Sequence, residues 1–179
     1  MAAAGGAEQP IHERIDQFVR STRQAVFVRA IDRVLFIRPD KTLKLNESAA
    51  AILGALYERE AGPSRQVLAG LCGPLGVEPA RLLRDTDDLI GAVGALLNED
   101  YAPRPGLTFT PLQPGMLRYP TLAEIALTYG CQNRCAFCYA ASPHRAGEHR
   151  LMSTAEVERV MERIYHEGHV PSLSFTGGE

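Results

Sequence analysis

Nowhere in the 179 residues does an apolar run reach the length that a bilayer-spanning helix needs. The opening MAAAGGAEQP has neither the basic stretch nor the apolar core of a secretion signal. These absences point to a cytoplasmic protein with no membrane partner. Neither sign of charge is in excess: 19 Lys and Arg stand against 21 Asp and Glu, a net of -2. A chain that grips a phosphate backbone carries a basic face, so no nucleic acid is expected as a partner. Internal repeats are missing, and so is low-complexity sequence beyond the first residues. Cysteine is scarce, at four residues, yet three of the four crowd into CQNRCAFC at 131–138. In a compartment that keeps thiols reduced, such crowding argues for metal or catalysis rather than for disulfides.

What is present is enough hydrophobic residue, 45%, to bury one ordinary core or two small ones. Ile11, Ile15, Phe18 and Val19 share one face of a short docking helix. Short runs of Val, Phe, Leu and Ile follow, with turn chemistry at Pro39–Asp40, and predict strands near 26–29, 33–38 and 42–45. Asn46 or Ser48 can cap a helix whose apolar stripe is Ala49, Ile52, Leu53, Leu56 and Tyr57, ended by Ala61–Pro63. Two further stripes predict two more helices, the first through Val67, Leu68, Leu71, Cys72 and Leu75. The second runs through Leu82, Leu83, Leu89, Ile90, Val93, Leu96 and Leu97. Cys72 reads there as a small core residue.

Periodicity stops between Tyr101 and Pro120, where five prolines form a stiff linker. Beyond it, TLAEIALTYG reads as a strand through Leu122, Ile125 and Leu127, followed by the cysteine loop. A helix begins at Ser153, with Ser153 and Glu156 as a capping box and Met152 placed to pack on Val157. Val157, Val160, Met161 and Ile164 form its buried face, and Gly168 suits a left-handed C-terminal position. The strand SLSFT completes a β-α-β unit, which implies parallel strands. The chain thus divides into a tail and docking helix (1–24), an α+β domain of winged-helix type (25–101), the linker (102–120) and an incomplete α/β segment (121–179).

Cys131, Cys135 and Cys138 form a C-x3-C-x2-C array that lets a loop turn its thiols inward around one centre. Chance would place partners at both offsets only about once in 10³ trials, so a metal site is the default. One reading is structural zinc, with His144 or His149 as fourth ligand. The other is a [4Fe-4S] cluster, whose fourth iron stays open when only three thiolates are supplied. His144, His149, His166 and His169 otherwise read as surface residues. Tyr139 reads either as packing under the loop or as a buried aromatic of no catalytic role.

CQNRCAFC, with Phe137 in the aromatic slot, resembles the cysteine signature of the radical S-adenosylmethionine (radical SAM) superfamily, and TGGE at 176–179 resembles its Gly-Gly-Glu motif. The resemblance implies that Cys131, Cys135 and Cys138 ligate three irons while SAM chelates the fourth. Reductive cleavage of SAM would then give methionine and a 5′-deoxyadenosyl radical, with an electron donor such as flavodoxin or ferredoxin. It further implies that Phe137, Gly177, Gly178 and Glu179 bind SAM, the glycines by letting backbone approach the ligand. No catalytic residue is assigned beyond the cluster ligands.

LFIRPDKTLKLNESAAAIL in the first domain resembles the peptide-chaperone family of pyrroloquinoline quinone biosynthesis, the recognition element of ribosomally made, modified peptides. That resemblance implies capture of a leader peptide as an added strand along Thr42, Leu43, Lys44 and Leu45, with Leu89, Val93 and Leu97 as a groove. Each of those leucines could instead fill the domain's own core. Together the two resemblances imply the front part of a radical SAM peptide maturase, since a parallel barrel of this type needs roughly 200 residues or more. An adaptor that binds leader peptide without catalysis is the alternative, and a structural zinc protein comes third.

Overall fold

A computed structural model of the chain describes residues 10–102, 104, 113, 115–133, 135–139 and 150–178. The chain divides into two units, 1–116 and 117–179, at a boundary inside the proline-rich stretch. Most of the linker prolines, together with His144, His149 and Glu179, lie outside the described residues.

In the first unit α1 (Ile11–Thr22) precedes β1 (Val26–Arg29), a 3-10 turn (Ala30–Asp32), β2 (Val34–Ile37) and β3 (Lys41–Lys44). Helices α2 (Glu47–Tyr57), α3 (Ser64–Leu75) and α4 (Pro79–Leu97) follow. The strands form an antiparallel sheet in the order β1-β2-β3, with Leu35 between Val28 and Leu43. Arg33 takes a left-handed conformation (φ 58°) to close the turn, which is why β2 starts at Val34. Asn46, not Ser48, caps α2 by accepting from the Ala49 N–H at 2.8 Å. That helix ends at Tyr57, ahead of the expected Ala61–Pro63, because Glu58 turns to extended backbone.

One core unites sheet and helices. Ile15 from α1, Leu35 and Ile37 from β2, Leu53 from α2, and Leu82, Leu89, Val93 and Leu96 from α4 are fully buried in it. Helix α1 is thus part of this core; its Asp16 carboxylate also accepts from the Ser64 N–H at the start of α3 (2.8 Å). Cys72 packs half-buried against the core, as its position on the α3 stripe predicts. A buried ion pair joins Arg29 to Asp32 at 2.9 Å, with the guanidinium 5.0 Å from the Phe36 ring centre. Burial pushes the Tyr57 phenol up from its ordinary pKa, although its hydroxyl meets that of Thr22 at 2.6 Å.

The second unit comprises β4 (Leu122–Ala126), α5 (Thr154–His166) and β5 (Ser172–Thr176). The strands are parallel, with Leu122 opposite Ser172 and Ala126 opposite Thr176. Ser153 and Glu156 form the expected capping box. The backbone N–H and hydroxyl of Ser153 hold the Glu156 carboxyl below its usual range, with help from Arg150.

Leu122 is half exposed, because a strand of period two puts it on the face opposite Ile125, the buried one. Three expectations for this unit fail. Met161 is exposed, and α5 buries none of its residues fully; Val157, Val160 and Ile164 are half-buried. The left-handed position after α5 is His169 (φ 48°) rather than Gly168. Glycine at 168 is required sterically, since a Cβ there would stand 2.8 Å from the Ile164 carbonyl oxygen. His169 is no bare surface residue either: it is half-buried and meets the Tyr119 ring edge-on at 4.8 Å. Among the described residues no helix is long and apolar enough to cross a membrane.

Candidate metal centre

The cysteine loop begins where β4 stops. Its first residues continue the parallel pairing with β5: the Leu127 N–H donates to the Thr176 carbonyl (3.0 Å), and the Gly178 N–H to the Thr128 carbonyl (2.7 Å). This extension explains both glycines. Gly177 has φ 131°, and a Cβ on it would lie 2.2 Å from the Thr128 oxygen. A Cβ on Gly178 would lie 1.8 Å from the Gly130 oxygen and 3.0 Å from the Cβ of Cys131. What the two glycines admit is the chain's own backbone, close enough that a Cβ at either position would clash. Glu179 lies outside the described residues.

Gly130 donates its N–H to the Thr128 hydroxyl (3.0 Å), turning the chain out of the strand and into Cys131. The Asn133 N–H is directed at the Cys131 sulfur at 3.4 Å. Such bonds to sulfur are one means by which iron–sulfur proteins set their reduction potential. The Cys138 N–H donates to the Cys135 carbonyl (3.2 Å), closing a tight turn between the second and third cysteines. Cys131 and Cys138 are half-buried, Cys135 is exposed, and no disulfide joins them.

Phe137 stands at the tip of that turn with 90% of its surface exposed. Tyr139 is exposed as well, so neither expectation of a packed or buried ring holds; its hydroxyl bonds to that of Thr176. Thr128 and Thr176 had no local signature in the sequence, apart from Thr176 standing just before the two glycines.

Residues 125–179 match the family model of the radical SAM superfamily. That part of the chain is similar to radical SAM proteins, which use SAM and a [4Fe-4S] cluster. The match takes in the end of β4, the cysteine loop, α5 and β5, and leaves the first unit outside it. No curated protein and no solved structure matches the chain.

The donor set fits such a cluster in kind: three cysteines on one short loop, with no disulfide among them. Among the described residues, no three His, Cys, Asp or Glu side chains are gathered as they would be around a single ion.

In the first unit, β3 has one strand neighbour among the described residues and forms an edge of the sheet. Leu45 donates to the Arg33 carbonyl (2.7 Å), so the antiparallel alternation turns Leu43 toward β2 as well. The N–H and carbonyl groups of Thr42 and Lys44 then face the open edge. The side chains of Leu43 and Leu45 are buried. The expected groove is not presented: Val93 has no exposed surface, Leu89 is 2% exposed, and both belong to the core. Leu97 is half-buried against that core. Leu89 does reach the wall of an open pocket of about 250 Å³ between α2 and α4, lined also by Asn46, Ala49, Ile52, Asp85 and Asp88.

Proposed function

We propose that the chain binds a [4Fe-4S] cluster through Cys131, Cys135 and Cys138, with SAM at the remaining iron, as part of an enzyme that modifies a ribosomally made precursor peptide. The observation that carries this reading is the three-cysteine loop between β4 and α5, inside the segment that matches the radical SAM superfamily. Cluster and SAM together would supply a radical able to abstract hydrogen from a substrate. The chain's own part is to hold three thiolates on a loop fastened to β5 and to leave one coordination position free. Phe137, exposed beside the third cysteine, would meet the adenine of SAM. Flavodoxin or ferredoxin would deliver the electron. Reconstituted anaerobically with iron and sulfide, an enzyme that contains this chain should turn brown and cleave SAM reductively to 5′-deoxyadenosine. Cys135→Ala should abolish both, and a variant that retains cleavage contradicts the reading.

A second reading, an adaptor that captures leader peptide, is favoured by the open edge of β3. An extended peptide would pair with the outward backbone groups of Thr42 and Lys44. With Leu89 and Val93 in the core, side-chain selection would fall to the pocket beside Asn46 and Ile52. Titration of the chain with leader peptides encoded beside its gene should saturate, and Thr42→Pro, which removes an outward N–H, should weaken binding. No saturable binding of any such peptide counts against this reading.

A further inference from the structure

The stretch that carries the three cysteines, 127–139, is tied to β5 at both of its ends, and one residue serves both ties. At its start the Thr176 carbonyl accepts from the Leu127 N–H at 3.0 Å. At its end the Thr176 hydroxyl bonds to the hydroxyl of Tyr139, the residue next to Cys138 and 37 positions away in sequence. Between these points Cys135 and Phe137 are exposed, so little packing restrains the loop there. A loop that supplies several ligands to one centre loses less entropy on binding when its ends are already in place.

We propose that Tyr139 and Thr176 are a positioning pair, which holds the Cys138 end of the loop on β5 and so slows loss of the cluster. This rests on the cluster reading given above. Tyr139 touches no reacting atom; it acts through Cys138. A single hydrogen bond of ordinary net strength corresponds to about a five-fold effect.

The test uses the full chain, reconstituted with iron and sulfide, and follows iron release to the ferrous chelator bathophenanthroline. Tyr139→Phe and Thr176→Val should each lose iron about five-fold faster than the unaltered chain, and the double variant no faster than either alone. Thr176→Ser, which keeps the hydroxyl, should restore the original rate. In the metal-free chain, amide hydrogen exchange at Cys138 should quicken in Tyr139→Phe while exchange in β1 to β3 stays unchanged.

Equal rates in all variants, or a Thr176→Ser variant as fast as Thr176→Val, would overturn the pairing and leave the cluster standing. An unaltered chain that takes up no iron and sulfide overturns the cluster reading first. Unchanged Cys138 exchange in the metal-free Tyr139→Phe chain then overturns the latch on its own evidence.

Discussion

Every fully buried large side chain among the described residues, from Ile15 to Leu96, lies in the first unit; in the second, Ile125 and Val170 are the buried hydrophobic residues. The first unit is specified by burial, its apolar stripes converging on one core at about 25 cal/mol per Å² removed from water. The second is specified by backbone: a parallel pair that runs on past its strands, two glycines pressed against it, and a capping box. On the proposed reading, a centre that admits an inorganic cluster and a nucleotide would not sit inside a closed core. It sits where the chain is held by hydrogen bonds and leaves its thiols within reach.

The same substitution should therefore act oppositely in the two units. Gly178→Ala puts a Cβ 1.8 Å from the Gly130 backbone oxygen, a clash that no flexible side chain can relieve. It should exceed the roughly 1–3 kcal/mol of ordinary overpacking and abolish protection of the Gly178 and Leu127 amides in hydrogen exchange. Retained protection would mean that backbone contact is not what holds the second unit.

In the first unit, Asp32→Ala would leave Arg29 buried without its carboxylate, at a cost of about 3–5 kcal/mol in denaturant unfolding. A loss under 1 kcal/mol would show that this buried charge is satisfied elsewhere. The smallest effect has the opposite sign. Gly70, exposed on α3 with nothing within 4 Å of an added Cβ, should gain about 0.5–1 kcal/mol on replacement by Ala, read as a raised unfolding midpoint. Destabilisation there would remove the contrast with Gly178.

Much of the first unit could be read from its stripes and caps, because helical and strand periods register burial directly. The core residues of α1, α2 and α4 all fall where the 3.6 period puts them. What periodicity does not reveal is where a stripe faces: Leu89 and Val93 are as apolar in a groove as in a core, and packing decided for the core. In the second unit the Ser153–Glu156 box was legible because its partners are three residues apart. The need for glycine at 177 and 178 was visible, but its cause, the backbone of Thr128 and Gly130, is tertiary. Tyr139 and Thr176 meet across 37 residues, and nothing local to either announces it. Met161 was misplaced because, among the described residues, two strands and one helix offer too little partner surface to bury every apolar side chain.

The three-thiolate centre is tested most directly by Mössbauer spectroscopy of the reconstituted chain, before and after addition of SAM. One iron in four should change its signal when SAM is added, and Cys138→Ala should remove the cluster spectrum. Bound zinc in place of iron, or four irons that all ignore SAM, would contradict it.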